Sequence, residues 1–254
     1  MNKVIVLILI FIAQSVVAQS FNQTDAQGRK TGKWKKVYSN GKTRYEGQFD
    51  KGMPVGTFKY YNADGKLTTI LTYSEGGHFA VCKMYYVKGK LQASGYYRDK
   101  KKDSVWLYYS EETQKVVAEE HYKNGVKNGP WRIFFDNGNL SSEVFWKDGK
   151  KDGPWKEFFQ DGTPRLSANY KNDKLDGDYK IYNVGGRIIK KGKYVKGKAD
   201  GEWITYDDSG KITKKDILVM DWLKEEVFYK NGEPVKIVNH NEIPKKKEGS
   251  KKGK

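Results

Sequence analysis

The 254-residue chain carries 48 Lys and Arg against 31 Asp and Glu, a net charge of +17, and a single cysteine, Cys82. One cysteine excludes an intrachain disulfide framework, so the fold must be held by packing. The length allows one or two domains, and the positive charge raises the question of an anionic partner.

Taken in chain order, residues 1–18 combine Lys3, an apolar run over 4–12 and Val16-Val17-Ala18 ahead of Gln19. This reads as a secretory signal peptide cleaved after Ala18, too short to span a bilayer as a helix. The expected location is outside the cytoplasm: periplasmic, associated with the outer envelope, or secreted, with no transmembrane span after cleavage.

Residues 19–210 repeat themselves. Anchor positions Gly32, Gly56, Ala80, Ser104, Gly129, Gly153, Gly177 and Gly201 recur every 24 residues, with one step of 25. Two residues after each anchor stand Trp34, Phe58, Cys82, Trp106, Trp131, Trp155, Tyr179 and Trp203. Five after stand Val37, Tyr61, Tyr85, Tyr109, Phe134, Phe158, Tyr182 and Tyr206. Seven before, from the second unit on, stand Phe49, Tyr73, Tyr97, Tyr122, Trp146, Tyr170 and Tyr194. The unit is therefore aromatic-x6-G-x-aromatic-x2-aromatic-x3-G, and a fixed self-similar period marks a repeat architecture.

Within one unit the pattern predicts a strand over 131–135, a turn at Asp136-Asn137-Gly138 and a return strand over 140–146. Asn-Gly and Asp-Gly recur in that turn slot (Asn40-Gly41, Asp64-Gly65, Asp161-Gly162) and are hairpin signals because they tolerate positive φ. Prolines 130, 154, 164 and 234 fall at predicted strand starts and Pro54 in a loop, as a residue that cannot donate to a ladder requires. Trp131 and Phe135 are expected on one face and Phe134 on the other, which makes both faces aromatic. At about 4.8 Å per strand, eight hairpins make a sheet roughly 75 to 80 Å long. In it, Trp155 is expected between Trp131 and Trp203 of its own column. The fold class is all-β: an elongated single-layer antiparallel β-hairpin repeat sheet with a 24-residue period, one quasi-linear body.

Tyr122-Lys-Asn-Gly-Val-Lys-Asn-Gly-Pro-Trp131, read with its recurrences over about residues 25–232, resembles the MORN repeat in the degenerate bacterial form called the MORN-repeat variant. Ala80, Cys82, Ser104 and Thr113 depart from the motif, so the third and fourth units are the ones expected to be distorted. The resemblance implies hairpins in an elongated sheet used for interaction, with no catalytic residue. Proteins of this kind are also labelled antitoxin-like, a role that export sets against.

After Gly210 the frame slips, since Asn231-Gly232 arrives 22 residues after Ser209-Gly210. Residues 211–243 are read as a C-terminal cap with a final hairpin, and 244–254, ending KKKEGSKKGK, as a basic disordered tail.

Cations recur in the loop before the anchors: Lys101, Lys102, Lys127, Lys150, Lys151, Lys174 and Lys198. If these loops share one sheet edge, the lysines form a ridge suited to an anionic lipid or glycan, tempered by Asp103, Asp152, Asp176 and Asp200 beside the anchors. Lysines among aromatic rings also suit nucleic acid, but export argues against that partner. No enzyme pattern emerges: His78, His121 and His240 are dispersed without a second ligand at metal spacing, Ser39-Asn-Gly-Lys42 is a hairpin turn, and nothing calls for a cofactor. Cys82 reads as a small buried hydrophobe. The expected function is a non-enzymatic, exported interaction scaffold with a protein partner in the cell envelope; the alternative is a binder of anionic surfaces through the lysine ridge and aromatic faces.

Overall fold

The computed structural model describes residues 20–240; the expected leader, the end of the cap region and the basic tail lie outside them. The described residues form one antiparallel sheet of 21 strands, in which the chain meanders from each strand to its next neighbour. Its only helical element is one 3-10 turn, Glu75–Gly77. No helix in this part is long and apolar enough to cross a membrane.

In the fifth unit the strand Gly129–Phe134 returns as Leu140–Lys147 through a turn closed by Phe135 N–H to Asn139 O (2.9 Å) and Gly138 N–H to Phe135 O (2.8 Å). Phe135 thus belongs to the turn, not to the ring face of Trp131 as its spacing suggested. Phe134 does lie on the opposite face. Pro54 is also in a strand, Met53–Tyr61, because the inter-unit loops are tight enough to pair.

What joins the hairpins is a bulge that adds two residues. Gly47 faces residues 56–58, since Glu46 opposes Lys59 and Gln48 opposes Val55. Gly95 likewise faces 104–106, and Gly192 faces 201–203. The anchors take a left-handed backbone there, with φ of 63° at Gly56, 59° at Ser104 and 73° at Gly201. An insertion of two leaves the alternation of a strand intact, so the ring two after the anchor stays on the same face in every unit. That ring then folds flat onto the facing glycine: a Cβ on Gly47, Gly95 or Gly192 would lie 2.2 to 2.3 Å from Phe58, Trp106 or Trp203. These three rings are the best buried of their column, at 2%, 0% and 5% exposed. The anchors Gly129, Gly153 and Gly177 take φ of 115°, 123° and 103° instead, and nine residues before them stand Glu120, Val144 and Ala168. A side chain now occupies the spot where the ring would lie, and Trp131, Trp155 and Tyr179 remain half-exposed.

Of the two units expected to be distorted, the fourth keeps the bulge and the third loses it. Leu71 opposes Cys82 and Tyr73 opposes Ala80 without interruption, and the surplus residues form the 3-10 turn. Beyond Gly210 the strands Ile212–Val219, Trp222–Lys230 and Glu233–Asn239 continue the sheet. Here the bulge holds one extra residue, since Ile217 opposes Glu225 and Leu218 opposes Leu223. An odd insertion swaps the faces, which is the physical form of the slipped frame.

Candidate functional site

Two surfaces repeat with the 24-residue period, an aromatic face and a basic loop edge. On the face, the rings two after and seven before the anchors do not form separate columns; they alternate into one ladder. Trp34, Phe49, Phe58 and Tyr73 follow one another at centroid distances of 5.7, 5.1 and 5.3 Å, edge to face. Tyr97 meets Trp106 at 5.0 Å, Trp131 meets Trp146 at 5.3 Å and Tyr194 meets Trp203 at 5.1 Å. Trp155 is therefore held by Tyr170, at 5.5 Å, and not between Trp131 and Trp203, because a return strand carrying its own ring lies between successive members of a column. No second layer covers this face among the described residues.

The predicted lysine ridge is two rows. Neighbouring residues of a strand point to opposite faces, so a lysine two before the anchor turns onto the rings and one three before turns away. Lys102 Nζ sits 4.3 Å from the centre of the Trp106 ring and 5.0 Å from that of Tyr122, and donates to the Tyr108 hydroxyl at 2.7 Å. Lys127 lies 3.8 Å above Trp131 and 4.1 Å above Trp146; Lys151 lies 4.9 Å from Tyr170. Such contacts stabilise a cation over the negative face of a ring. Lys30 covers Trp34 in the same way, at 4.5 Å. The sequence offered a signal for this split, the odd or even offset from the anchor.

Lys101, Lys150, Lys174 and Lys198 are exposed at the start of their strands and form no ion pair with any described residue. Val126 interrupts their row. The loops that carry them are tied into a ladder by Gly125 N–H to Lys102 O, Gly149 N–H to Lys127 O and Gly197 N–H to Leu175 O, at 2.7 to 2.9 Å. The acidic residues before the anchors serve this ladder. Asp103, Asp152, Asp176 and Asp200 accept from the backbone N–H of Asn124, Asn172, Lys196 and Met220 in the following loop, at 3.0 to 3.4 Å. They are turned to the backbone rather than to the lysines.

On the opposite face some charges are paired, while Lys35, Lys59, Lys83 and Lys156 form no ion pair with any described residue. Arg132 donates to Glu119 and Glu143, each at 2.7 Å, although Val81 and Tyr96 form an exposed apolar island. The histidines are scattered, each beside one carboxylate: His78 with Asp99, His121 with Glu119 and His240 with Glu226. Among the described residues no group of three His, Cys, Asp or Glu gathers as a metal ion requires. Ser39 and Lys42 belong to the first hairpin turn, where Asn40 Oδ1 accepts from Lys42 N–H. Cys82 is 1% exposed, and burial pushes its thiol up to about 11, so it is protonated at neutral pH.

Five stretches of the chain, residues 30–51, 54–75, 127–148, 151–172 and 199–216, match the family described as MORN repeat variant. The third and fourth units, with Cys82 and Ser104, are among those that do not. No curated protein matches the chain. Among solved structures, that of TarM aligns over 38% of this chain and 19% of its own, at 15% identity and a TM-score of 0.29. Those of TcdB2-TccC3 and TcdB2-TccC3-Cdc42 align over 84% and 82% of this chain and 14% and 13% of theirs, at 10% and 11% identity and TM-scores of 0.21. The chain thus spans less than a fifth of these relatives' length, and the likeness is too distant to bear on function.

Proposed function

Since the chain is built of MORN-variant repeats, we propose that it is a non-enzymatic interaction scaffold whose aromatic face docks a protein partner in the cell envelope. Repeats of this family are generally associated with protein or membrane-lipid interaction. The observation that carries the reading is the row of rings on one face from Trp34 to Trp203, in which Trp131, Trp155 and Tyr179 stay half-exposed and which no second layer covers among the described residues. Such a face offers flat apolar area with a polar handle at each Tyr and Trp, whereas the opposite face carries charged side chains such as Arg132 and Lys156. A photo-cross-linking residue at Ile133, which is 56% exposed on the ring face, should capture the partner in intact cells. The same residue at Lys156, on the opposite face, should not; equal capture from both positions overturns the reading.

The location is part of the proposal, resting on the apolar run over 4–12 and the small residues before Gln19. Sequencing the N-terminus of the protein purified from its native cells should give Gln19 first; an intact Met1 counts against export. A second reading, binding of anionic surfaces, is favoured by one observation: the exposed row of Lys101, Lys150, Lys174 and Lys198 without acidic partners among the described residues.

A further inference from the structure

A residue three after an anchor neighbours the column ring in its strand and so points to the face away from the rings. In the first units Glu46 stands between two such lysines, Lys35 and Lys59, and in the fifth Arg132 is held by Glu119 and Glu143. Toward the C-terminus the row changes character. From strand to neighbouring strand it runs Lys156, Ser167, Lys180, Lys191, Ile204, Lys215, each the direct cross-strand partner of the next. Four lysines thus lie in one row across six strands, roughly 24 Å long at about 4.8 Å per strand, with no acidic residue in it. Lys180 directly faces Lys191, a like-charge pairing that costs stability. Lys156 and Lys191 form no ion pair with any described residue, and Lys191 Nζ lies 5.6 Å from the centre of the Tyr206 ring. Lys180 and Lys215 have one carboxylate each beside the row, Asp178 at 3.8 Å and Glu202 at 3.1 Å, and these acids are themselves exposed. An open hollow of about 410 Å³ lies among Asp178, Lys180, Lys191, Glu202 and Ile204.

We propose that this row is a binding site for a linear acidic polysaccharide, laid across the strands with its anionic groups on the lysines. Two ammonium groups held side by side are relieved when an anion bridges them, and a lysine, as a point charge, takes carboxylate, sulfate or phosphate alike. The flanks of the row select a sugar. On one side run Phe158, Tyr182 and Tyr206, half-exposed, whose rings offer an apolar surface to the C–H face of a pyranose. On the other side the carboxylates of Asp178 and Glu202 accept hydrogen bonds and donate none, which suits a chain of hydroxyls. A flat layer of anionic headgroups would instead press charge against both carboxylates. The row lies on the face opposite the ring ladder and uses none of the edge lysines, so it stands or falls separately from both readings above.

The test is calorimetric titration of the full-length protein with polygalacturonate and with dextran sulfate at physiological ionic strength, and in parallel with single-stranded DNA and with vesicles rich in anionic lipid. The expected result is saturable binding of at least one polysaccharide that weakens at least tenfold in the double variant Lys180→Gln, Lys191→Gln and is unchanged in Lys150→Gln, Lys174→Gln at the edge. The unfolding midpoint of the first variant should hold or rise, since the opposed charges are gone. Replacing Asp178 and Glu202 by alanine removes two negative charges, so attraction by bulk charge alone would tighten polysaccharide binding; loss of their hydrogen bonds to hydroxyls should weaken it. Tighter binding in that variant, no saturable binding of either polysaccharide, or binding unchanged in Lys180→Gln, Lys191→Gln overturns the site. So does a tenfold loss of DNA or vesicle binding in the same variant, which would make the row a general anion surface.

Discussion

Replacing Trp106 by alanine should lower stability in denaturant melts by about 3 to 5 kcal/mol, the usual cost of removing a buried large aromatic side chain, while Trp155→Ala should cost distinctly less. Both stand two residues after an anchor and are indistinguishable in the repeat pattern. Trp106 is fully buried because it lies flat on Gly95, whereas Trp155 faces Val144, cannot descend and stays half-exposed. The glycine should be as sensitive as the ring. A Cβ on Gly95 would meet the Trp106 indole at 2.3 Å, so Gly95→Ala must lift the ring or shift the bulge. The two changes are coupled through one contact and should not add: in a Trp106→Ala background, Gly95→Ala should cost little. Equal losses at Trp106 and Trp155, or additive losses at Gly95 and Trp106, would show that the facing glycine does not seat the ring.

How far this was legible in the sequence follows from what a period reports. The 24-residue spacing fixes which strands are neighbours, and Asn137-Gly138 and its equivalents fix where they turn, so the single sheet could be read from residues alone. The bulge could not, because Gly56, Ser104 and Gly153 occupy one slot in the repeat yet take different backbone conformations. The deciding residue lies on the facing strand, nine positions earlier: Gly47 and Gly95 in the first two cases, Val144 in the third. Alternation within strands was the other hidden variable. Lys101 and Lys102 look like one basic cluster, but adjacent strand residues face opposite ways, and only one of the pair reaches the rings. Asp103 and Asp152 looked like diluents of that charge; their carboxylates bind the backbone of the next loop. Cys82 was read correctly as a small buried residue.

That separation of the lysines yields two opposite results. Changing Lys101, Lys150, Lys174 and Lys198 together to Gln should leave the unfolding midpoint nearly unchanged, because exposed charges without close partners contribute little to folding. Changing Lys102, Lys127 and Lys151 to Gln should destabilise the protein by roughly 0.5 to 2 kcal/mol per site, the range for a cation over an aromatic ring, most at Lys127, which covers two indoles at 3.8 and 4.1 Å. Binding to vesicles rich in anionic lipid should show the reverse order. The outward row presents its charge at a fixed edge, so its loss should abolish binding and flatten the salt dependence, with a screening length of about 8 Å at physiological ionic strength. The ring-covering lysines are already committed and should matter less, and deletion of 245–254 should matter less than the outward row because a tail concentrates charge without fixed geometry. If the tail deletion alone removes vesicle binding, the row is a solubilising edge that keeps sheets apart. The docking reading then stands without its anionic rival, since nothing in the ring ladder depends on those four lysines.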